Sequence, residues 1–130
     1  MNYIMHKALI SCALIPLLFH AAPSQAVDAR DFSIANNTPW AIQSIYVKES
    51  GKSSWGSEVL GQNYTLKSGK ITSLDFESVP GKSCMWDVRV VLNAETDLQW
   101  REVNICQLQR MTVDYDFVGK SYMAQWKNIP

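Results

Sequence analysis

Apolar and polar residues alternate along the second half of this chain, and this alternation is the feature that most constrains its fold. Between residues 111 and 117 every second residue is apolar, beginning with Met111 and ending with Phe117. Successive side chains of a strand point to opposite faces of a sheet, so the pattern predicts a strand with one buried face. No segment after residue 26 keeps the 3.6-residue period of an amphipathic helix, so the sequence predicts an all-β fold.

Similar short segments, separated by turn residues, predict an antiparallel arrangement of seven or eight strands. The predicted strands cover residues 31–35, 40–48, 64–66, 71–77, 84–92, 98–106 and 111–117, with a last strand after residue 120. Strands with one apolar face each bury these faces against one another, which favours a β-sandwich, immunoglobulin-like or a related Greek key. A small closed barrel is the alternative architecture.

Cys84 and Cys106 are predicted to form a disulfide. If residues 84–92 pair antiparallel with residues 98–106 about Glu95, the two cysteines lie directly opposite each other. Directly opposed strand residues have Cα atoms about 4.5 to 5.5 Å apart, which is within the range of a disulfide. A redox or nucleophilic thiol would need a nearby base or a Cys-x-x-Cys turn, and the sequence shows neither.

Two further details of strand register follow from the same patterns. In the register about Glu95, Asp87 lies on the solvent face of its strand. Near the end of the chain, Gly119-Lys120 predicts a two-residue hairpin turn, which sets Phe117 opposite Tyr122 on the apolar side.

Residues 1–26 are typical of a cleaved signal peptide. Lys7 is the only charged residue before an apolar stretch over 8–22, and a small-residue cleavage pattern ends at Ala26. Cleavage would remove both histidines and Cys12, and would leave residues 27–130 as a single domain without a membrane anchor. The sequence therefore predicts an exported protein, periplasmic or secreted, in which a disulfide can form.

The composition argues against several classes of function. Lys and Arg together equal Asp and Glu, 12 of each, without a cluster of either sign, which disfavours nucleic-acid binding and electrostatic docking to membranes. Without histidine after residue 26, a Ser-His-Asp triad is excluded and neither a metal nor another cofactor is expected. A small hydrolase that uses a Ser-Lys pair or carboxylates remains an alternative. The available carboxylates are Asp87, Glu102, Asp114 and Asp116.

Trp55, Tyr64 and Trp40 lie in or beside predicted loops, where aromatic residues are less easily explained by the core. Loop aromatics on a β-sandwich can form a platform for a cell-envelope glycan or a protein partner. The competing interpretation is that Trp55 closes one end of the core as a plug. A third possibility is a structural subunit that lends an edge strand to a surface assembly.

Several motifs are spaced in a way that matches a known group of proteins. They are Phe32-x-Ile34-x-Asn36-Asn37-Thr38, Ile45-Tyr46-Val47, Trp55-Gly56, Val59-Leu60-Gly61, Cys84-x-Trp86-Asp87, Trp100 and Asn104-x-Cys106. Together they resemble a family of small exported bacterial β-domains of uncharacterised function, often misnamed argininosuccinate lyase or Tat-pathway signal protein. Neither name fits, because the leader has no twin arginines and the rest of the chain has no histidine. The resemblance implies an exported domain with a common scaffold and supplies no active site.

Overall fold

The computed structural model describes residues 28–93 and 95–130, and in them it forms seven strands and one short 3-10 helix. The predicted signal peptide and its cleavage site lie outside the described residues. The strands are β1 (Phe32–Asn37), β2 (Ser44–Glu49), β3 (Ile71–Leu74), β4 (Met85–Asn93), β5 (Thr96–Asn104), β6 (Leu108–Asp116) and β7 (Ser121–Asn128), and the helix is Ile105–Gln107.

The strands form two sheets that pack face to face, which confirms the predicted β-sandwich. One sheet has the order β3-β1-β6-β7 and the other has the order β2-β4-β5. Every pair is antiparallel except β1 with β6, which run parallel. The expectation of an antiparallel fold therefore fails at this pair, because the chain leaves β1 for the other sheet and returns to β6 at the end where β1 begins.

The core lies between the two sheets and contains the alternating apolar residues of their strands. Its fully buried members include Ile34, Ile45, Val90 and Met111. The long loop after β2 covers the outer edge of that strand. Within this loop Val59 N donates to Ile45 O at 2.8 Å, so the edge of β2 is paired rather than open.

The β4–β5 hairpin has a different register from the predicted one. Val88 lies opposite Trp100, two residues from the partner expected for a hairpin centred on Glu95. The cause is Asn93, whose Oδ1 accepts hydrogen bonds from Glu95 N and Thr96 N, both at 2.9 Å, and so turns the chain earlier. A shift of two residues keeps the side chains of Val88 to Val91 on their predicted faces. The ladder shifts again between Val88 and Trp86, so that Trp86 pairs with Val103, and the alternation of faces is interrupted there.

The β6–β7 hairpin shows the same kind of correction. Tyr115 lies opposite Tyr122, and residues 117–120 form a four-residue turn instead of the predicted two-residue turn. Asp116 Oδ1 accepts a hydrogen bond from Val118 N at 2.9 Å, which starts the turn directly after β6. Phe117 is consequently outside the strand and 72% exposed, where a place on the buried side was predicted.

Candidate functional sites at the two ends of the sandwich

The functional features of the sandwich lie at its two ends. The disulfide end comprises the beginnings of β1, β4 and β6 and the ends of β2, β5 and β7, near Cys84 and Cys106. The hairpin end comprises the segment Asn36–Trp40 and the β6–β7 turn, Phe117–Lys120.

The disulfide between Cys84 and Cys106 confirms the predicted pairing, with Cα atoms 5.2 Å apart. The cysteines are not a direct ladder pair, since Met85 lies opposite Asn104 and the 3-10 helix carries the chain from there to Cys106. Ile105 N donates to Cys84 O at 2.9 Å and holds the two segments together. A disulfide in such a domain indicates an oxidising compartment.

Arg30 organises the disulfide end through a buried guanidinium group. Its Nη2 donates to Phe76 O at 2.8 Å, and its Nη1 donates to Val79 O and Gly81 O, each at 3.0 Å. The guanidinium also lies 5.5 Å from the centroid of the Trp86 ring. One side chain therefore donates to three carbonyl groups of the same loop, of which that of Phe76 also accepts from Val79 N at 2.9 Å.

Asp28 completes this arrangement as the counter-ion of Arg30. Its Oδ2 lies 2.6 Å from Nη2, and its Oδ1 accepts from Nε at 3.0 Å, which gives a bidentate pair. The side-chain hydrogen bonds from Arg30, followed by one from its backbone N–H, lower the pKa of Asp28 to about 2. The same carboxylate raises the pKa of Arg30.

Asp87 is buried, which corrects the prediction that it faces solvent. Its Oδ1 accepts hydrogen bonds from Ser50 Oγ at 2.8 Å and from Glu102 N at 2.9 Å, and Lys48 Nζ lies 3.7 Å from Oδ2. Burial by itself would raise the pKa of Asp87, but these partners and the charge of Arg101 outweigh it and lower the pKa.

The burial of Asp87 has a structural reason. Arg101 and Glu102 together oppose this one residue, which makes a β-bulge in β5, and Glu102 adopts a φ of 54°. The bulge turns the N–H of Glu102 onto the buried carboxylate. Asp87 therefore fixes the shape of the end of β5.

A cleft of about 470 Å³ lies beside β2 at the disulfide end. Its lining includes Lys48, Glu49, Ser54, Gly56, Val79 and Trp86. The charged groups here already have partners, since Lys48 Nζ donates to Lys52 O at 2.8 Å and Glu49 Oε1 accepts from Lys82 N at 3.1 Å. These contacts hold the loops in place and leave little polar capacity for a ligand.

A second cleft of about 380 Å³ opens between β5 and β7, the edge strands of the two sheets, again at the disulfide end. It is lined by Arg101, Glu102, Val103, Asn104, Gln107, Leu108, Trp126 and Asn128. The Trp126 ring is 44% exposed and stands at 87° to the Trp100 ring, with centroids 6.4 Å apart.

The polar side chains of this β5–β7 cleft differ from those of the cleft beside β2. Within residues 28–93 and 95–130, no side-chain hydrogen bond engages Arg101, Gln107 or Asn128. Asn104 Oδ1 is buried and has no partner in the same part of the chain. The exposed indole therefore lies beside side-chain donors and acceptors of Arg101, Gln107 and Asn128 that are available to a ligand, with the buried Asn104 Oδ1 behind them.

The hairpin end carries a cluster of aromatic rings. The Tyr115 centroid lies 5.0 Å from that of Trp40, 4.9 Å from that of Tyr122 and 5.1 Å from that of Phe117. Trp40 is 40% exposed and Phe117 is 72% exposed, so the cluster reaches the surface.

Turn chemistry fixes Trp40 in this cluster. Asn36 Nδ2 and Thr38 Oγ1 both donate to Trp40 O, at 2.7 and 2.9 Å. Asn36 and Thr38 are themselves buried and joined by a hydrogen bond of 3.0 Å from Thr38 N to Asn36 Oδ1. The loop that carries Trp40 is thus rigidly attached to the end of β1.

The three aromatics of the predicted platform do not form one surface. Trp40 belongs to the hairpin end, whereas Trp55 lies at the disulfide end with its ring 5.0 Å from Lys48 Nζ. Tyr64 is 46% exposed in the loop that leads to the bridge between Leu66 and Ile42. Neither the Trp55 nor the Tyr64 ring contacts another aromatic ring within the described residues.

Sequence reasoning overlooked Trp126 and Phe117 as surface residues, because both occupy apolar positions of an alternating pattern. For Phe117 the missed signal is Asp116, whose side chain starts the turn directly before it. For Trp126 the missed signal is the position of its strand in the sheet. β7 is an edge strand of the larger sheet, and the smaller sheet, with three strands, leaves the inner face of β7 partly uncovered.

Three of the four carboxylates considered for hydrolysis are engaged in structural contacts, and Glu102 lines the β5–β7 cleft without a second carboxylate in that lining. Asp114 accepts from Asn37 Nδ2 and Gln125 Nε2, each at 3.1 Å, on the outer face of the four-stranded sheet. Asp116 accepts a hydrogen bond from Val118 N in the β6–β7 turn, and Asp87 accepts one from Glu102 N in the bulge of β5. The part of the chain that the structure describes holds no group of three metal-ligating side chains and no helix that is long and apolar enough to cross a membrane.

Comparison of the chain with family models, with curated proteins and with solved structures finds no match. The resemblance to a family of exported β-domains stays a prediction. The functional inference therefore depends on the geometry of the sites.

Proposed function

We propose that this protein is an exported, disulfide-stabilised binding protein that takes a short carbohydrate chain in the β5–β7 cleft. The observation that supports the proposal is the exposed Trp126 ring among polar side chains that have no partner in the described part of the chain.

The chemistry of the cleft suits a sugar. The C–H groups of a pyranose ring carry slight positive charge and pack on the negative face of an indole. Hydroxyl groups at the rim of the same ring both donate and accept, as do the amides of Gln107 and Asn128. Arg101 adds donors and Glu102 adds acceptors on the opposite wall.

Two features of the protein preorganise this cleft. The Trp100 ring meets Trp126 at nearly a right angle and limits its rotation. Asp87, through Glu102 N, holds the bulge that forms the β5 wall. A preorganised wall lowers the entropy lost on binding.

The proposal is tested with residues 27–130 and soluble peptidoglycan fragments, with cellotetraose and chitotetraose as further probes, by calorimetry and amide chemical-shift mapping. We expect saturable binding, with shifts centred on Asn104, Gln107 and Trp126. Trp126→Ala should weaken binding at least about tenfold, since an exposed aromatic anchor commonly dominates such a site.

Trp55→Ala is the matched control, because it removes an indole beside the other cleft and should leave the affinity unchanged. Failure of all three probes to bind, or equal affinity in the Trp126 variant, contradicts the proposal. Hydrolysis of a probe that is lost on changing one carboxylate would instead support the enzyme alternative.

A further inference from the structure

We propose that the hairpin end is a membrane-docking surface, whose turn Phe117–Lys120 inserts into the interfacial layer of a lipid bilayer. Phe117 is 72% exposed and Val118 is 95% exposed, more than any other large hydrophobic residue in the described ranges. They are consecutive and lie at the outermost point of the β6–β7 hairpin. The inference is independent of the carbohydrate proposal, because Trp126 lies at the other end of the sandwich.

Amphipathic aromatic side chains lie directly behind the apolar tip, as they do at the headgroup level of membrane proteins. Tyr115 and Tyr122 stand one step below Phe117 along the hairpin, and Trp40 packs against both, with centroids 5.0 and 5.9 Å from theirs. Tyrosine and tryptophan have an apolar body and a polar tip, and they favour the headgroup level of a bilayer. The apolar side chains of Phe117 and Val118 would thus lie deepest, with the amphipathic rings nearer the headgroups.

The backbone of the turn is prepared for a less polar environment. Val118 N donates to Asp116 Oδ1 at 2.9 Å, so the amide at the most exposed residue already has a partner. Lys120 ends the turn, and its long side chain can extend back toward water. No other backbone hydrogen bond within the described residues engages Phe117–Lys120, so the tip enters the hydrated interfacial layer, where water can pair the remaining groups, and not the hydrocarbon core.

Charge does not drive this docking. Lys120 and the nearby Lys67 and Lys70 are matched by acidic residues at the same end, including Asp114 and Asp116. Binding through apolar insertion should occur on zwitterionic lipid and resist salt, unlike attraction by a basic patch.

The size and shape of the tip favour a bilayer over a protein partner. A stable interface between two proteins buries about 800 Å² on each partner. The tip is a convex four-residue turn and cannot supply such an area by itself. A bilayer accepts a convex apolar tip without a matching groove.

The experiment measures co-flotation of residues 27–130 with phosphatidylcholine vesicles, in low and in high salt, together with quenching of tryptophan fluorescence by brominated lipid. We expect the protein to float with the vesicles in both low and high salt. We also expect brominated lipid to quench its tryptophan fluorescence, and this quenching to disappear in Trp40→Phe. Phe117→Ser combined with Val118→Ser should lower the partition coefficient at least about tenfold. Ile129→Ser is the matched control at the disulfide end, where Ile129 is 54% exposed, and should partition as the wild type.

Each outcome decides the proposal. The absence of vesicle binding, equal partition of the tip variant, or complete loss in high salt overturns it. Concentration-dependent self-association that the tip variant abolishes, without vesicle binding, would assign the tip to a protein contact instead.

Circular dichroism of the variants confirms folding, which the high exposure of both substituted residues leads us to expect. A loss of peptidoglycan binding in Trp126→Ala with vesicle binding intact would separate the two sites.

Discussion

The two ends of the sandwich use their side chains in opposite ways. At the disulfide end a covalent bond, the Arg30–Asp28 pair and the Asp87 carboxylate connect loops and strands that are distant in sequence. At the hairpin end the Trp40 loop is tied to β1, but the β6–β7 turn leaves its apolar side chains exposed.

The difference shows where a small domain concentrates its stability. A chain of this size has a net stability of only about 5 to 15 kcal/mol, so one cross-linked end contributes a large fraction. The opposite end can then expose Phe117 and Val118, which contribute little to folding. We expect substitutions to reveal this contrast.

Arg30→Ala should have the largest effect, a loss of about 3 to 5 kcal/mol. It would leave Asp28 without a counter-ion, remove the side-chain donor to the carbonyls of Val79 and Gly81, and leave the carbonyl of Phe76 with only Val79 N. Urea unfolding provides the measurement, with Arg30→Lys expected to be intermediate because an ammonium cannot reproduce the fork of donors. If Phe117→Ala costs as much, the contrast between the ends is wrong.

The disulfide should contribute about 3 kcal/mol. Cys84 and Cys106 are 22 residues apart, and closing a loop of this length restricts the unfolded chain by about that amount. Replacing both cysteines by alanine should lower the free energy of unfolding by about 2 to 5 kcal/mol, and reduction should lower the melting temperature. Two titratable thiols in freshly isolated protein would show that the bond does not form in the cell.

The positions at which sequence reasoning failed have a common physical origin. Alternation predicted most faces of the strands correctly, because burial depends on the period of two, and it failed at Asp87, where a bulge in the facing strand interrupts that period. Both hairpin registers were nevertheless displaced by two residues, at Asn93 and at Asp116. In each case a short polar side chain bonds the backbone ahead of it, and alternation carries no information about where such a turn begins.

The candidate sites were harder to predict than the fold. Asp87 occupies a position that alternation assigns to solvent, and it is buried because a bulge across the sheet needs an acceptor. Trp126 occupies a position that alternation assigns to the core, and it is exposed because the opposing sheet has fewer strands. Both outcomes depend on contacts between segments distant in sequence.

Acid should weaken the disulfide end selectively. The pKa of Asp28 is about 2 in the folded protein against an ordinary 3.8, so the folded state binds its proton less readily than the unfolded state. Its stabilising contribution is therefore complete above about pH 4 and is lost as the pH falls toward 2. The lowered pKa of Asp87 acts in the same direction.

Urea melts of the wild type and Asp28→Asn between pH 5 and pH 2 measure this contribution. The difference in unfolding free energy should shrink as the pH falls. A difference that stays constant over this range would mean that Arg30 does not act through the ionised carboxylate.

Trp55→Ala should have the smallest effect, about 1 kcal/mol. The ring is half-buried beside Lys48 Nζ, at 5.0 Å, and is not a member of the buried core cluster. A cation–π contact at a partly exposed site stabilises by about 0.5 to 1 kcal/mol, whereas deletion of a buried aromatic plug costs about 3 to 5 kcal/mol. Thermal and urea melts distinguish these values, and Trp55→Phe, which keeps a ring over the ammonium, should recover part of the loss. A loss near 4 kcal/mol would make Trp55 a plug that closes this end of the core, and the ring would then belong to the cross-linked scaffold.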